Sequence, residues 1–151
     1  MKVKVTPSKV HGNVKIPASK SMAHRALICA SLSDGTSLVS NVTNSKDIEA
    51  TVGCMKALGA IIKQIDETTY EVTGTNLFKQ EGNITCNANE SGSTLRFLIP
   101  LAACTNAKVK FLGQGRLLQR PMDVYANEFK KQNIEFNQSD KEIIVHGNLQ
   151  A

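Results

Sequence analysis

Three short polar stretches of the sequence carry residue types that bind anions. In the first, Ser19, Lys20 and Ser21 stand between a β-type run and an apolar helical pattern, and Arg25 follows about one helical turn later. Backbone N–H groups at a helix start favour an anion, and an arginine further along can lean its guanidinium back toward that end. The same residues also fit a serine N-cap with solvated cations. The stretch predicts a phosphate-binding turn or a capped helix start, with His24 peripheral on an open face.

The second stretch is ESGSTLRF at 90–97. Gly92 would let the backbone approach a ligand closely, and the hydroxyls of Ser91 and its neighbours supply donors. Arg96 follows early in the predicted helix. The pattern differs from the Walker phosphate loop, because no lysine follows the glycine in the required register. A capped helix start is again the alternative.

The third stretch, GQGRLLQRPMD at 113–123, places Arg116 and Arg120 before a predicted helix. The helix dipole disfavours cations at that end, and an anion shared by both side chains would relieve the conflict. Together the three stretches predict a small, multiply anionic ligand, whereas sequence spacing leaves open whether their cations converge. These cations are Lys20, Arg25, Arg96, Arg116 and Arg120.

Composition narrows the classes of function. The 151 residues carry a net charge of +5 and lack tryptophan, which suits an anionic partner, but no basic stripe interleaved with aromatics predicts a nucleic-acid surface. The four cysteines are widely separated, so neither a zinc site nor a redox motif is expected, and reduced thiols are favoured. No apolar run is long enough to cross a bilayer or resembles a signal peptide. We expect a cytoplasmic protein without a metal or membrane partner.

The two halves of the chain resemble each other at an offset of about seventy residues, a period typical of stacked supersecondary units. Each half predicts a β-α-β-α-β-β unit, so the fold class is α/β (α+β). The predicted ranges are 1–11 for an N-terminal segment, 12–80 for the first unit and 81–151 for the second.

Local signals place the elements of each unit. Ser45 is predicted to cap the second helix, Gly59 and Asn133 to take left-handed stops, Pro121 to enter the first turn of the fourth helix, and Pro100 to kink or shorten the third. The predicted helices are 20–32, 45–58, 91–104 and 121–132. The predicted strands are 13–17, 36–42, 83–87 and 108–113, with hairpins at 60–74 and 134–147.

The motifs together resemble a known family. PASKSMAHRAL resembles the P-G-S-K-S-x-x-x-R signature of 5-enolpyruvylshikimate-3-phosphate (EPSP) synthases, and ESGSTLRF resembles their N-x-G-T-x-x-R segment. DIEATVGCMKALGA and GQGRLLQRPMD are similar to two further family segments, and all four occur in order. The resemblance implies two domains, each of three β-α-β-α-β-β units around a pseudo-threefold axis, in the inside-out α/β barrel of enolpyruvyl transferases.

The resemblance also implies an activity. The enzyme would transfer the enolpyruvyl group of phosphoenolpyruvate to the 5-hydroxyl of shikimate 3-phosphate and release phosphate, in aromatic amino acid (chorismate) biosynthesis, without a cofactor or metal. Lys20, Ser21 and Arg25 would hold shikimate 3-phosphate, and Lys20, Gly92 and Arg120 would hold phosphoenolpyruvate, for which glyphosate would compete. The full-length enzyme would be a monomer.

Much of that machinery is expected beyond residue 151. The resemblance implies that the acid–base carboxylates, the third unit and the second domain lie downstream, and that residues 1–11 pack with that second domain. We therefore expect this chain to be inactive alone, with no catalytic acid or base of its own.

Two departures and three alternatives accompany the resemblance. Ala18 replaces the usual glycine, and Glu90 stands where asparagine is usual; a carboxylate beside an anion site repels the ligand unless Lys or Arg pairs it. The alternatives are a UDP-N-acetylglucosamine enolpyruvyl transferase fragment, a non-catalytic anion-binding module, and a folding unit that binds nothing. The first typically has G-x-K-N where this chain has Ser19-Lys20-Ser21.

Overall fold

A computed structural model describes residues 2–9 and 11–149, so positions 1 and 10 of the predicted range 1–11 and positions 150 and 151 of the range 81–151 lie outside the described residues. Helices and strands alternate along the described chain and form two sheets. The helices are α1 (Lys20–Leu32), α2 (Lys46–Ala57), α3 (Gly92–Ala102) and α4 (Asp123–Lys131). The strands are β1 (Thr36–Val39), β2 (Ile61–Gln64), β3 (Tyr70–Thr73), β4 (Asn83–Asn87), β5 (Lys108–Leu112), β6 (Glu135–Gln138) and β7 (Ile143–His146).

The first unit, α1 to β3, builds a three-stranded antiparallel sheet in the order β1-β3-β2. Its central strand alternates as the period-2 pattern predicts: Tyr70 and Val72 are buried, and the residues between and after them are half-buried. The predicted 60–74 hairpin is confirmed, with β2 and β3 paired from Ile61↔Thr73 to Gln64↔Tyr70.

The second unit, β4 to β7, builds a four-stranded sheet in the order β4-β5-β7-β6. β4 lies parallel to β5, and the other pairs are antiparallel. The inner face is mostly apolar, and its residues Cys86, Val109, Phe111, Ile143 and Val145 are all buried. The outer face carries ion pairs from β5, Lys108 with Glu135 and Lys110 with Glu142. The second predicted hairpin is likewise confirmed.

The helices join the two units through one core. α2 packs against α1 and α3 and against β4 of the second unit, because its apolar stripe faces inward. Ile48, Cys54 and Met55 of that stripe are completely buried.

The strand predicted at 13–17 is wrong. Residues 13–19 form no regular structure, and Val14 and Ile16 are each 83% exposed. The equivalent β4 is stabilised by five register pairs with β5. Among the described residues β1 pairs only with β3, so 13–17 finds neither a partner strand nor a core to cover. Alternation without a partner does not make a strand.

The helix starts depend on caps. The α1 prediction of 20–32 is confirmed, and Ser45 caps α2 by accepting the Ile48 N–H at 3.3 Å. Pro121 was predicted in the first turn of α4, but it lies two residues before Asp123. Arg120, which precedes the proline, is extended at φ −68° and ψ 141°, as a pre-proline residue prefers, so the helix begins later.

The helix ends also follow local chemistry. Gly59 and Asn133 adopt positive φ angles of 101° and 56°, confirming both left-handed stops. Pro100 lies within α3, which continues for two residues to Ala102. A proline leaves the carbonyl four residues earlier without its helical donor. That carbonyl, on Arg96, accepts the Tyr125 hydroxyl at 3.0 Å, and this bond ties α4 to α3.

The four cysteines carry free thiols. Cys54 and Cys86 are buried, as expected of small apolar side chains, whereas Cys29 is exposed. A hydrogen bond with Cys86 and burial together raise the pKa of the Cys54 thiol. Within residues 2–9 and 11–149, no helix combines the length and apolarity that a membrane crossing needs.

Candidate functional site

The start of α1 displays polar groups to solvent. Ser19 is extended at φ −72° and ψ 111°, and its Oγ accepts the Met22 N–H at 3.3 Å, so the predicted N-cap forms. Lys20 and Ser21 occupy the first turn and are exposed. The turn thus keeps its cation and hydroxyl accessible at the positive end of a helix dipole.

Lys20 is held against the second helix. Its Nζ lies 2.6 Å from Oδ2 of Asp47, in the first turn of α2, and the two side chains remain 55% and 32% exposed. An ion pair this exposed adds little stability. The contact therefore aims the amine without burying it, and an anion could take over part of its hydrogen bonding.

Arg25 takes the position predicted for it. Its Nη1 donates to the Ser21 carbonyl at 2.9 Å, so the side chain leans toward the N-terminus of α1. Its guanidinium also lies over the ring of Phe97, 4.9 Å from the ring centroid. The arginine thus bridges α1 to α3.

Gly92 opens α3 with two guanidinium groups beside it. A Cβ built on Gly92 would overlap Nη1 of Arg120 and lie 3.5 Å from Nη1 of Arg96. Only a glycine admits Arg120 in this position, so the close approach predicted for Gly92 is occupied by an arginine of the same chain. The N-cap Ser91 accepts the Thr94 N–H at 3.2 Å. Two cations thus stand at a capped helix N-terminus, which is the chemistry of an anion cradle.

The loop before α4 supplies Arg120. Its 3₁₀ turn, Leu117–Gln119, is anchored by Gln138, whose Nε2 donates to the carbonyls of Leu118 at 2.6 Å and Arg120 at 2.9 Å. Arg116 and Arg120 line one cavity of about 330 Å³ together with Gln119 and Pro121. The two arginines predicted to share an anion therefore border the same space.

Glu90 is directed at Gly115, in the loop that also carries Arg116 and Arg120. Its Oε1 lies 2.6 Å from the place of a Cβ on Gly115, whose φ is +58°, and it forms no ion pair with any Lys or Arg of the described chain. A second cavity, of about 570 Å³, is lined by Glu90 together with Asp47, Glu49 and Lys46. The carboxylate predicted to disturb Gly92 is therefore directed at the next loop.

His24 is placed differently from the prediction. It is completely buried rather than on an open face, and its Nδ1 lies 2.7 Å from Oγ1 of Thr51 on α2. Burial lowers its pKa most, Lys20 and Arg25 lower the pKa further, and Asp47 opposes them. The signal in the sequence was its helical spacing to Leu27 and Ile28, which puts it on the apolar stripe.

Contacts of Asp47 and Thr94 connect the cationic turns, which are the predicted anion-binding stretches around Lys20, Gly92 and Arg120. Asp47 pairs with Lys20 through its side chain, and its carbonyl oxygen lies 3.3 Å from Oγ1 of Thr94. Thr94 belongs to the same first turn as Gly92, which contacts Arg120. Lys20 and Arg120 are thus linked through neighbours rather than by a direct bond. Within the described part of the chain, no three potential metal ligands cluster.

Comparisons with known proteins agree on one family. Residues 4–149 match the family model described as EPSP synthase (3-phosphoshikimate 1-carboxyvinyltransferase). A 3-phosphoshikimate 1-carboxyvinyltransferase of Clostridium perfringens (strain SM101 / Type A) is 46% identical over 99% of this chain and 36% of its own length. One of Clostridioides difficile (strain 630) is 44% identical over 97% of this chain and 36% of its own length. This chain therefore spans about a third of such relatives.

A solved structure gives the fold. The EPSP synthase of Acinetobacter baumannii, determined at 2.37 Å, superimposes with a TM-score of 0.79 over 92% of this chain and 32% of that chain. The sequence identity of that match is 18%, so the likeness concerns the fold alone. It confirms the predicted α/β class and the enolpyruvyl transferase architecture.

Proposed function

The chain belongs to the EPSP synthase family, and from that premise we propose that it forms part of a 3-phosphoshikimate 1-carboxyvinyltransferase. The whole enzyme transfers the enolpyruvyl group of phosphoenolpyruvate to the 5-hydroxyl of shikimate 3-phosphate, in chorismate biosynthesis. The observation that carries the site assignment is Gly92, whose missing Cβ admits Arg120 beside Arg96 at the N-terminus of α3. Relatives at 44–46% identity bear the name of this enzyme.

The proposed reaction balances as an addition followed by an elimination. The 5-hydroxyl oxygen bonds to C2 of phosphoenolpyruvate, its proton is lost, and C3 gains a proton, which gives a tetrahedral ketal. C3 then loses a proton as the C2–O bond to phosphate breaks, so the enol ether and inorganic phosphate are released. The acid and base for these proton transfers lie outside this chain in our proposal, since none of its residues is assigned that role.

This chain would contribute binding and charge. Lys20, Ser21 and Arg25 would hold shikimate 3-phosphate, and Lys20, Gly92 and Arg120 would hold phosphoenolpyruvate. Two anionic substrates repel each other, and a lysine between them lowers the cost of bringing them together. Arginine forks at the phosphate also stabilise the charge that develops as it leaves. Glyphosate, an anion, would compete in the Arg120 half of the site.

The remaining assignments extend this proposal. Residues 1–11 would pack on a second domain outside this chain; the 71% and 83% exposure of Val3 and Val5 supports a missing partner. We place the enzyme in the cytoplasm, supported by four free thiols, and treat small anions as its only ligands. The repeat ranges 12–80 and 81–151 stay as predicted domain limits.

Calorimetric titration with shikimate 3-phosphate tests the site. Lys20→Met should weaken binding at least about tenfold, because a charge-assisted contact is lost. Lys63→Met is the matched control: Lys63 forms a similarly exposed pair with Glu71, at 3.7 Å on β2, away from the cationic turns. Equal effects of the two substitutions would contradict the assignment.

A phosphate-release assay tests whether the catalytic acid and base lie outside this chain. The 151-residue chain with both substrates should release no phosphate above the uncatalysed background. A rate comparable with that of a complete EPSP synthase would show that the acid and base are within this chain.

A further inference from the structure

A buried row of polar side chains crosses the three helices that carry the proposed site. Nδ1 of His24, Oγ1 of Thr51, Oγ1 of Thr94 and Oγ of Ser91 follow one another at 2.7 Å, 2.7 Å and 2.7 Å. Each of the four residues is at most 1% exposed. The row therefore starts on α1, passes through α2 and ends at the N-cap of α3, with no access for solvent.

The protons in this row can be counted. Each hydroxyl has one proton, and the Thr94 hydroxyl gives its own to Ser91, which also accepts the Thr94 N–H. Thr94 must then accept from Thr51 across their 2.7 Å contact, which uses the only proton of Thr51. The Thr51 oxygen can then only accept from Nδ1 of His24.

An arrangement in which the hydroxyls of Thr51 and Thr94 donate to the Asp47 carbonyl would be weaker. Both threonine hydroxyls lie 3.3 Å from the Asp47 carbonyl, beyond the usual range for an O–H···O bond, whereas the contacts within the row are at its optimum. Pointing the protons at Asp47 would exchange short bonds for long ones. The short row is therefore the preferred network, and its protons run from His24 to Ser91.

The other ring nitrogen of His24 agrees with this direction. Nε2 is buried and has no hydrogen-bond partner in the described chain. A proton on Nε2 would be a buried donor without an acceptor, and a charged ring would add a buried cation near Lys20 and Arg25. Asp47 is the opposing carboxylate from α2. A neutral ring protonated on Nδ1 fits the direction that the Thr94-to-Ser91 bond sets and leaves no proton on the buried Nε2.

We propose that His24, neutral and protonated on Nδ1, is a positioning residue that sets the relative places of the α1, α2 and α3 N-termini through this one-way row. Lys20 lies one turn before His24, Asp47 one turn before Thr51, and Gly92 directly after Ser91. A break in the row would let these three turns shift independently. The importance of this for substrate binding rests on the proposed function, whereas the row and its direction do not.

Nitrogen-15 NMR of the ligand-free chain at neutral pH tests the tautomer. We expect the His24 Nδ1 signal at the protonated position and the Nε2 signal far downfield, as for a bare nitrogen. A proton on Nε2, or a doubly protonated ring, would overturn the proposal. This readout involves no ligand, so it is independent of whether shikimate 3-phosphate binds.

Two substitutions of equal size test the coupling. His24→Asn keeps a donor near the Nδ1 position, and His24→Leu removes it. In amide spectra, His24→Leu should shift the signals of Ser91, Gly92 and Thr94. These shifts should exceed the median shift of the amides in the four-stranded sheet, β4 to β7. His24→Asn should leave most of the three signals at their original positions. Equal shifts in the two variants, or no shift in His24→Leu, would overturn the proposal.

Thr51→Val provides a second break, should His24→Leu fail to fold. This substitution preserves the shape of the side chain and removes the middle hydroxyl of the row. The amide signals of Ser91, Gly92 and Thr94 should therefore move. The Nδ1 proton of His24 loses its acceptor and should exchange with solvent at least about tenfold faster. Unchanged signals and unchanged exchange would show that the row transmits nothing.

Discussion

In the second unit, β5 pairs with β4 on one side and with β7 on the other. The equivalent strand of the first unit is β1, which pairs only with β3 among the described residues. The equivalence follows from register, since Val39 faces Tyr70 on β3 as Phe111 faces Ile143 on β7. Phe111 is completely buried, whereas Val39 is half-buried and its neighbour Leu38 is 70% exposed. The same repeat thus pairs this strand on both sides in one copy and on one side in the other, among the described residues.

The difference teaches that the cationic turns have unequal support. Gly92 follows β4, which is held in a four-stranded sheet, whereas Lys20 follows residues 13–19, which form no regular structure. The start of α1 is instead held by lateral contacts to α2 and α3, through Asp47, Phe97 and the buried His24. Helix packing thus replaces the missing strand as the support for Lys20.

The largest expected effect concerns the two cores. Phe111→Ala should destabilise the chain by about 3–5 kcal/mol, because it leaves a cavity in a closed core. Val39→Ala, at the matching register position, should cost less than about 1.5 kcal/mol, since fewer buried methyl groups are lost. Urea unfolding followed by circular dichroism measures both, as the chain has no tryptophan. Equal costs would show that Val39 is packed as tightly as Phe111.

Glycines in α3 and α2 sharpen the comparison at the site. Gly92→Ala should displace Arg120 and weaken the binding of phosphoenolpyruvate, measured in the presence of shikimate 3-phosphate, about tenfold. The stability of the chain should change little. Gly53, within α2, has open space around a Cβ, so Gly53→Ala should raise stability by up to about 1 kcal/mol and leave binding unchanged. Unaltered binding in Gly92→Ala would remove Arg120 from the anion site.

Acid should destabilise the fold through His24. The pKa of His24 is lowered in the fold from 6.5, so protonation favours the unfolded chain, and stability present above pH 6.5 falls as pH drops toward the folded-state pKa. The loss should be at most about 1.4 kcal/mol per pH unit. His24→Asn, which does not titrate, should lack this component. Parallel stability curves for the two proteins between pH 7.5 and about pH 5 would contradict the burial of a neutral imidazole.

The smallest effect is expected at the two equivalent helix stops. Asn133 holds a φ of 56°, which costs more for asparagine than for glycine, so Asn133→Gly should stabilise the chain by about 0.5 kcal/mol. Gly59 holds a φ of 101°, where Gly59→Ala should be destabilising by about 1 kcal/mol. Thermal unfolding reports both, and a destabilised Asn133→Gly would show that the amide side chain matters more than the backbone angle.

Features encoded by neighbouring residues were predictable from the sequence. Ser19, Ser45 and Ser91 each cap the helix that follows, and the two hairpins formed where alternation flanked a polar turn. The lean of Arg25 toward its own helix start depended on helical geometry alone.

Features that depend on distant parts of the chain were not predictable in this way. Residues 13–17 alternate as well as β4 does, but pairing and burial decide whether alternation becomes a strand. His24, Thr51 and Thr94 are each a polar residue on an otherwise apolar helix face. They form one hydrogen-bonded row only because three helices pack together. The direction of Glu90 toward Gly115 likewise depends on a loop distant in sequence.

The central claim is that the turns of both units form one site for anionic metabolites, and amide NMR titration with phosphoenolpyruvate in the presence of shikimate 3-phosphate tests it most directly. The account predicts that the amide signals of Lys20 in the first unit and Gly92 in the second shift together, saturate with one dissociation constant, and respond far less when shikimate without its phosphate replaces shikimate 3-phosphate. Shifts confined to one unit, or two different dissociation constants, would contradict a common site.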